Sequence, residues 1–328
     1  MWRVLAAWYE RPGPAAEVLQ VGQMADPEPG QGEVRVRVAI SGINPGDTKK
    51  RGDWVGHGMP YPRVIPHSDG AGIIDAVGDG VDPARTGERV WVYGAQSYRP
   101  FGTAAQLTVV PADQAVALPD DVRNEVAACL GIPGITAHRA VFGDGPVDGT
   151  TVLVHGVLGA VGSMAAQLAA WRGATIIGTV RRGADLARVD EAVAYRVALD
   201  ERDPVASIRR AAPDGVQRIV EVSFSDNIDL DAAVAAPEAV IAAYATRDPR
   251  PPFDFWPMLF ANLTIRLLGS DDFPDAAKHQ AVADLTLAAQ QGALRIPVRD
   301  PLPLDRIADA HDKVDAGSRE RIVLSISA

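Results

Sequence analysis

Three evenly spaced glycines stand between an apolar run and a helical pattern. In the stretch VLVHGVLGAVGSM (152–164) they are Gly156, Gly159 and Gly162. Glycine at a strand-to-helix turn gives a tight bend, a close approach of the backbone to a pyrophosphate, and close helix–strand packing. The spacing is G-x-x-G-x-x-G, because Val157 stands where the usual G-x-G-x-x-G pattern needs glycine. A turn without a ligand is the alternative, but the strand before it and the amphipathic helix after it favour a dinucleotide.

The start of the following helix supplies the other half of such a site. Free N–H groups and the helix dipole attract an anion to a helix N-terminus. We therefore predict that the turn binds the cofactor pyrophosphate through Gly156, Gly159, Ala160, Val161 and Gly162.

A second stretch, TIIGTVRRGAD (175–185), stands where the residue that reads the adenosine ribose is expected. An acidic residue there binds the 2′-hydroxyl of NAD, and arginine accommodates the 2′-phosphate of NADP. The strand ends in Thr179 and Val180, and Arg181 and Arg182 follow. Two guanidinium groups can grip a phosphate, although a solvated surface pair is the plain alternative. The position predicts NADPH, contacted by Thr179, Arg181 and Arg182.

Two kinds of element must position these residues. Residues 1–120 are rich in glycine and proline and contain short strands such as GEVRVRVAI, which places Val34, Val36 and Val38 on one face. A helical stretch, interrupted near Pro133, comes next, and strands then alternate with helices. Such alternation implies a parallel sheet with helices on both faces. The predicted strands are TTVLVH, TIIGTV, 196–199, RIVEVS, AVIAAYA, 262–270 and RIVLSIS. The predicted helices are 160–172, about 184–193, 204–211, 228–236, 276–291 and 304–316.

The bulk composition limits the class of partner. The chain has 328 residues, enough for two domains, and 47% of them are hydrophobic, as in a globular protein. Its 32 basic and 42 acidic residues give a net charge of −10, which argues against binding nucleic acid or an anionic membrane. The single cysteine, Cys129, excludes an internal disulfide and fits a reducing compartment. The N-terminus lacks the pattern of a signal peptide, and no apolar run reaches membrane-spanning length, so we predict a cytoplasmic protein.

Further motifs add a resemblance that covers essentially the whole chain. In order they are SGINPGDTKKRG, IPHSDGAGIIDAVGDGV, GERVWVYGA, GTAAQLTVVPAD, CLGIPGITAHRAVF and VLVHGVLGAVG. The chain resembles the zinc-independent medium-chain dehydrogenase/reductases of the NADPH:quinone oxidoreductase (zeta-crystallin-like) branch. That branch has its own glycine spacing, and Gly156 stands where it places alanine or glycine.

The resemblance implies an α/β fold in two domains. One is a Rossmann domain with a doubly wound parallel sheet, predicted over 123–289. The other is a GroES-like β-barrel-type domain, predicted over 1–122 and 290–328. The cofactor would lie in the cleft between them. The resemblance also implies a homodimer joined through the late Rossmann strand around 262–270.

Metal ligands are the next question that the resemblance raises. Where zinc-dependent relatives place a Cys, a His and a second Cys, this chain has Asn44, Ser68 and Ile132. A catalytic zinc needs three N, S or O ligands aimed at one point. We therefore predict that no metal is bound. The alternative is an improvised site of His67, Asp69 and a third residue.

The remaining site residues come from the resemblance and from the ends of strands. For catalysis we predict Asn44, Lys49 and Tyr93; for the substrate pocket, Trp54 and His67; and for further cofactor contacts, Asn44, Thr136, Tyr244 and Ala245. Each of the catalytic three has a plainer interpretation. Asn44 could only cap a turn, Lys49 could be a solvated charge, and Tyr93 could belong to the core.

The predicted function is an NADPH-dependent, zinc-independent reductase. Hydride would pass from the nicotinamide to a quinone or to the β-carbon of an α,β-unsaturated carbonyl, while the protein orients the substrate and stabilises charge on its oxygen. Family members often hold the 2′-phosphate with a Lys and a Tyr where this chain has Asp185 and Asp200. Val157 and Leu158 are also bulkier than the residues usual in the turn. The alternatives are an NADPH-binding sensor or structural protein with little catalysis, and a zinc-type alcohol dehydrogenase.

Overall fold

The computed structural model describes residues 3–326, which fold as two compact units. The first unit joins the chain up to Ile132 to the chain from Ile296 onward, and the second unit runs from Pro133 to Arg295. Both boundaries lie later than the predicted limits of 123–289. At the first boundary, the Ile132 N–H donates to the Asp69 carboxylate of the first unit. At the second, the Arg295 N–H donates to Gln167 Oε1 of the second unit at 2.6 Å.

Strands dominate the first unit and alternate with helices in the second. The first unit begins with β1 (Arg3–Trp8), α1 (Ala15–Val18), β2 (Gln20–Ala25), β3 (Glu33–Gly42), α2 (Pro45–Arg51), β4 (Asp69–Val77), β5 (Arg89–Val92), β6 (Leu107–Pro111), β7 (Ala115–Ala117) and α3 (Asn124–Ala127). Across the boundary runs α4 (Gly131–Phe142), and the second unit continues with β8 (Thr151–Val154), α5 (Ala160–Trp171), β9 (Thr175–Val180), β10 (Tyr195–Ala198), α6 (Pro204–Ala211), β11 (Val216–Glu221), α7 (Phe224–Val234), β12 (Ala235–Ala243), α8 (Phe255–Phe260), β13 (Thr264–Leu267) and α9 (Asp275–Gln290). The chain returns to the first unit with β14 (Leu302–Pro303), α10 (Ile307–Asp315) and β15 (Val323–Ser325).

The sheet of the first unit is built around β3. This strand pairs with β4, β6 and the returning strand β15, in each case antiparallel. Val34, Val36 and Val38 are buried on one face as predicted, and burial of such a side chain stabilises the fold by about 1.5–3 kcal/mol. On the other face, Arg35 and Arg37 both reach Asp75, at 2.9 Å and 3.3 Å.

The sheet of the second unit is wholly parallel. Its strand order is β10-β9-β8-β11-β12-β13. This is the order of the doubly wound dinucleotide-binding fold, so the predicted Rossmann class is confirmed. The two central strands β8 and β11 are neighbours in the sheet but not in the sequence. At this switch point such sheets bind ligands, outside the carboxyl ends of the strands.

Most predicted elements of the second unit are present, and one is wrong. The helix predicted at 184–193 is a short 3-10 helix, Gly183–Arg188. Val189 and Val193 are both buried and stand four residues apart, which is also a helical spacing. A turn at Asp190 brings them inward instead, because its side chain accepts the Ala192 N–H at 2.9 Å. Pro133 does not break α4, since it lies in the first turn, where its missing N–H is not needed.

Membrane-spanning segments were not predicted. Between residues 3 and 326, no helix combines the length and the apolar character that a bilayer crossing requires.

Candidate functional site

The glycine turn joins β8 to α5 at the carboxyl edge of the parallel sheet. Gly156 has a φ of +63°, a left-handed conformation that favours glycine. A Cβ on Gly162 would lie 2.4 Å from the backbone oxygen of Gly156, so a side chain there would push the helix off the turn. Gly159 is the N-cap of α5, and the first helical N–H groups, at Ala160 and Val161, follow it. A helix start of this kind leaves backbone donors for an anion.

Val157, which breaks the usual glycine pattern, turns into the protein. It is 5% exposed. A Cβ on Gly178 of β9 would lie 2.7 Å from Val157 Cγ1, so the glycine in β9 makes room for the valine. The bulk at position 157 is therefore taken up by the core and does not fill the space above the turn.

The two arginines after β9 are exposed. Within the described part of the chain, neither Arg181 nor Arg182 makes a hydrogen bond or ion pair through its side chain. Asp200, whose charge could repel a phosphate, accepts the Gly183 N–H at 2.8 Å. This bond ties the segment after Arg182 to the end of β10. Both guanidinium groups thus remain available for a ligand next to the carboxyl end of β9.

A buried polar cluster that the sequence reasoning missed lies directly before the glycine turn. His155 Nε2 lies 2.8 Å from Asp231 Oδ1 and 3.6 Å from Glu221 Oε2. Its other ring nitrogen, Nδ1, lies 2.9 Å from Thr179 Oγ1. The side chains of His155, Glu221 and Asp231 have no solvent exposure. Among residues 3–326, these three form the one group of His, Cys, Asp or Glu side chains close enough to share a metal ion.

The charges of this cluster depend on one another. Burial acts against the charged imidazole, but the carboxylates of Asp231 and Glu221 outweigh it and raise the pKa of His155 above its usual value. Burial raises the pKa of Glu221 to about 7, although His155 opposes this shift. Asn227 Nδ2 donates to both Glu221 oxygens at 3.1 Å. The side chains of Asp231 and Glu221 thus favour the protonated form of the His155 ring.

The predicted nicotinamide contacts Tyr244 and Ala245 follow β12, next to the cluster. The Tyr244 N–H donates to the Glu221 backbone oxygen at 3.1 Å, and the Ala245 oxygen accepts the Phe224 N–H at 3.1 Å. Burial raises the pKa of the Tyr244 hydroxyl, and the neighbouring Glu221 adds to this shift. The segments after β11 and β12 are therefore held together at the same carboxyl edge as the glycine turn. Thr136, the other predicted contact of this unit, is buried in α4.

In the first unit, Asn44 is buried between two charged side chains. It is the N-cap of α2, and its backbone N–H donates to Asp47 Oδ2 at 2.8 Å. Its Nδ2 donates to Asp69 Oδ2 and its Oδ1 accepts from Arg321 Nη2, both at 2.6 Å. Burial raises the pKa of Asp69 to about 7, although the hydrogen bond from Asn44 opposes the shift. The positions aligned with two zinc ligands, Asn44 and Ile132, both bond to Asp69, and the buried guanidinium of Arg321 supplies the local positive charge.

His67 has no solvent exposure, so the structure gives it no face towards an open pocket. Its Nδ1 lies 2.8 Å from Ser41 Oγ, and its Nε2 lies 2.8 Å from His311 Nε2. Ser41 Oγ also lies 2.7 Å from Thr103 Oγ1, which donates to the Asp69 backbone oxygen at 2.6 Å. We call this chain of hydrogen bonds, from His311 through His67, Ser41 and Thr103 to Asp69, the histidine relay.

The proton positions in the histidine relay follow by counting. The single hydroxyl proton of Thr103 is used in the hydrogen bond to the Asp69 backbone oxygen. Ser41 must therefore donate its hydroxyl proton to Thr103 Oγ1, and His67 must donate from Nδ1–H to Ser41 Oγ. The neutral His67 ring then accepts at Nε2 from His311 Nε2–H. This leaves His311 Nδ1 without a proton, and it has no hydrogen-bond partner among the described residues. Burial and the neighbouring His311 lower the pKa of His67 far below its usual value, which agrees with a neutral ring.

The other predicted residues of the first unit are not brought together. Lys49 is exposed on α2, with its Nζ 5.5 Å from the centre of the Trp54 ring. Trp54 is itself 64% exposed. Tyr93 is buried just after β5, and its ring centre lies 5.9 Å from that of Trp91. The plainer interpretations of Lys49 as a surface charge and of Tyr93 as a core residue both fit these positions.

A cavity of about 470 Å³ lies in the second unit, away from the glycine turn. It is lined by the end of α4, the loop 143–148 that leads to the amino end of β8, and α9. One wall contains a second, partly buried histidine–carboxylate pair, in which His138 Nε2 lies 2.8 Å from Asp284 Oδ2. Because one of its walls is the loop before the amino end of β8, this cavity is not at the edge where doubly wound sheets bind nucleotides.

Comparison with known proteins adds family relationships to this geometry. The alcohol dehydrogenase GroES-like domain matches residues 30–120. Mouse quinone oxidoreductase is 29% identical over 320 residues, which cover 94% of this chain and 93% of that protein. The human synaptic vesicle membrane protein VAT-1 homolog is 31% identical over 205 residues, or 62% of this chain and 51% of that protein. The solved structure of mycobacterial Rv1454c complexed with NADPH is 26% identical, with a TM-score of 0.82 over 98% of this chain and 99% of that one.

A GroES-like domain combined with a Rossmann domain defines the class of medium-chain dehydrogenase/reductases, and both predicted domain types are confirmed. The similarity to mouse quinone oxidoreductase spans both domains. The predicted resemblance to the quinone oxidoreductase branch of this family is therefore confirmed over nearly the whole chain.

Proposed function

We propose that the protein is an NADPH-dependent, zinc-independent reductase of quinones or α,β-unsaturated carbonyls. The observation that carries the proposal is the pair Arg181 and Arg182, exposed and without other partners in the described chain, beside the glycine turn. NADPH differs from NADH by one 2′-phosphate, and guanidinium groups are suited to bind it. The similarity to the mycobacterial protein that was solved in complex with NADPH supports the same cofactor.

The residues present fit such a cofactor. The cradle at Gly156 and Gly162 has no room for a Cβ on Gly162, and α5 begins there with free donors for a pyrophosphate. When bound, NADPH would supply a hydride to the acceptor, whose reduction is completed by a proton from the medium. The chain would bind the adenosine phosphate at Arg181 and Arg182, and orient the nicotinamide near Thr136, Tyr244 and Ala245.

On the substrate side, we propose that Asn44 is a positioning residue and does not contact the substrate itself. Both polar atoms of its amide are engaged by Asp69 and Arg321, so it holds this part of the first unit rigid. Tyr93, Lys49 and Trp54 remain proposed substrate neighbours, and His67 we assign to the histidine relay because it is fully buried.

The test compares NADPH with NADH over a panel of small quinones and enones, with cofactor oxidation followed by absorbance. Arg181→Ala/Arg182→Ala should raise KM for NADPH by about 10- to 100-fold, the loss expected for one or two charged hydrogen bonds, and leave KM for NADH nearly unchanged. Arg188→Ala, an exposed arginine a few residues on, is the matched control. Equal effects of the double variant on both cofactors would contradict the assignment of the arginines. No turnover with any acceptor would contradict the reductase.

Two alternatives have their own tests. Tight NADPH binding without turnover over the whole panel would favour a sensor or structural protein, which the exposed position of Lys49 would allow. Stoichiometric zinc in the purified protein, together with activity lost on chelation and restored by zinc, would favour an alcohol dehydrogenase. We propose no zinc, because Asn44 and Ile132 are already bonded to Asp69.

We also propose a homodimer formed through β13. This strand is an edge of the parallel sheet, and an unprotected edge offers free backbone groups to a second strand. Leu267 at its end is 75% exposed, and Trp256 and Phe260 of α8 are 62% and 76% exposed. A second copy would cover these side chains.

The dimer is tested by light scattering during gel filtration. Leu267→Arg should shift the protein towards the monomer. Tyr195→Arg changes an exposed side chain on β10, the opposite edge of the same sheet, and should leave the mass unchanged. A monomeric parent protein, or equal shifts in both variants, would contradict the proposed interface. The proposed location is the reducing cytoplasm, which the buried thiol of Cys129 fits.

A further inference from the structure

The buried cluster of His155, Glu221 and Asp231 has no part in the function proposed so far. Burial of charged groups is costly, and a chain retains them only where they are paired and hydrogen-bonded. Asp231 Oδ2 makes no hydrogen bond with any described residue, so the ion pair with His155 is the main compensation for this carboxylate. The arrangement needs a reason beyond filling the core.

The place of the cluster in the fold gives that reason. His155 follows β8 and directly precedes Gly156, while Glu221 ends β11, so the two lie on either side of the switch point of the sheet. Thr179, bonded to the same imidazole, lies near the end of β9, two residues before Arg181. One ring thus connects the glycine turn to the strand that leads to the arginine pair.

Backbone contacts reinforce the connection. The Val157 N–H, in the glycine turn, donates to the Thr179 oxygen at 3.2 Å, and the His155 N–H donates to the Val220 oxygen of β11 at 3.0 Å. Around the ring stand Glu221 from β11 and Asp231 from α7, and the Glu221 backbone oxygen in turn accepts the Tyr244 N–H after β12. A change in the charge or position of the imidazole therefore acts on the glycine turn, on the end of β9 and on the end of β11.

We propose that His155 is a positioning residue for the cofactor: its charged ring, held by Asp231 and Thr179, fixes the glycine turn relative to the end of β9. The spacing between the pyrophosphate cradle and the 2′-phosphate site is set by this contact. The inference rests on the proposed NADPH binding and adds to it the residues that hold the two halves of the site in register.

The distances in the cluster fit a proton shared between His155 and Asp231 better than they fit a bound metal ion. The 2.8 Å between His155 Nε2 and Asp231 Oδ1 is the length of a charge-assisted hydrogen bond. Two ligands that each lie about 2.0–2.2 Å from a tetrahedral zinc would stand further apart than this. Both Glu221 oxygens also accept from the Asn227 amide, which reduces their capacity to ligate.

The experiment measures NADPH dissociation constants by calorimetry, with KM and kcat from steady-state assays. Asp231→Asn keeps the shape and removes the countercharge of His155, and we expect it to raise Kd and KM for NADPH by about 10-fold, with kcat much less affected. The matched control is Asp284→Asn, which removes the carboxylate of the His138 pair in the same unit. It should lower thermal stability and leave Kd within about twofold of the parent.

Thr179→Val provides a second measurement if Asp231→Asn does not fold. It removes only the hydroxyl on His155 Nδ1 and should raise Kd about threefold, an effect that Thr179→Ser should reverse. The proposal is overturned if Asp231→Asn and Thr179→Val bind NADPH with the same Kd as Asp284→Asn. A stoichiometric metal in the parent protein that is lost in Asp231→Asn would overturn it in favour of a metal site. If the parent and Asp284→Asn bind neither NADPH nor NADH, the proposed function itself fails.

Discussion

Each unit of the molecule contains a fully buried histidine with both ring nitrogens hydrogen-bonded, yet the two rings carry different charges. His67, in the first unit, has a hydroxyl and another imidazole as partners, and its pKa is lowered. His155, in the second unit, has two carboxylates as neighbours, and its pKa is raised. Burial disfavours the charged form in both. The partners, and not the depth of burial, decide the charge of each ring.

The two rings also differ in what they connect. The histidine relay joins α10 of the returning chain to β3 and β4 by neutral hydrogen bonds. The cluster at His155 joins the ends of β8, β9 and β11 to α7, through the hydrogen bond with Thr179 and the ionisable side chains of Glu221 and Asp231. Neutral relays of this kind can be interrupted at the cost of a hydrogen bond, whereas removal of one ion leaves its partner charged and buried.

The largest expected difference between the two rings is in stability. His155→Leu should lower the free energy of unfolding by about 3–5 kcal/mol, because it leaves the Asp231 carboxylate buried without a partner. His67→Leu, the matched change in the first unit, should cost about 1–3 kcal/mol for the lost hydrogen bonds. Denaturant unfolding monitored by fluorescence measures both.

A double variant sharpens this prediction. His155→Leu/Asp231→Leu removes both charges, and should recover a large part of the loss caused by His155→Leu alone. If the double variant is as unstable as the sum of the single ones, the ion pair is not the source of the cost.

A smaller effect is expected in the response to acid. The folded pKa of His67 is lowered, and burial with the nearby Arg51 charge lowers that of His311 to about 3. Below pH about 6.5 the two rings bind protons in the unfolded chain but stay neutral in the folded relay. Each ring should therefore lower the free energy of unfolding by up to about 1.4 kcal/mol for each pH unit below that value. The contribution of His155 has the opposite sign, since its raised pKa means that stability is lost as the pH rises.

Hydrogen exchange, corrected for the intrinsic rate at each pH, separates the two units. Amides of β3 should lose protection below pH about 6.5, and His67→Phe/His311→Leu should flatten that slope. Amides of β8 should instead lose protection on the alkaline side. The same pH trend in both strands would contradict the opposite charges assigned to the two rings.

The smallest expected effect is a change of tautomer. Thr103→Val removes the hydroxyl that accepts from Ser41, at a cost of about 1 kcal/mol. Ser41 is then free to donate to His67 Nδ1, so the proton of His67 should move to Nε2. Nitrogen NMR of the imidazoles detects this exchange, and Thr108→Val, another buried threonine of the same unit, serves as the control. An Nδ1-protonated His67 in both variants would show that the relay does not set the tautomer.

Local sequence patterns were sufficient to predict the parallel sheet and its glycine turn. Apolar runs such as TTVLVH and TIIGTV are strands, and helix 204–211 has the predicted limits. The helix predicted at about 184–193 was wrong, because Asp190 bends the chain where the spacing of two valines is also helical. The domain boundaries could not be read off the composition, because Ile132 belongs to the first unit through its bond to Asp69.

The two buried histidine networks could not be predicted for a different reason. His155 and Asp231 are far apart in the sequence, and they meet because β11 lies beside β8, a neighbour that only the folded sheet provides. His67 meets His311 because the chain returns to the first unit. One feature of the sequence did point to His155: it stands directly before Gly156, so it belongs to the glycine turn.

The return of the chain to the first unit also sets an order of events during protein synthesis. The second unit is one continuous stretch, so all of its strands have been synthesised before Ile296 is added. In the first unit, β3 can pair with β15, His67 with His311, and Asn44 with Arg321 only after the returning segment has been made. The unit that is begun first is therefore the last to be completed, and until then its unpaired strand edges are exposed to other chains.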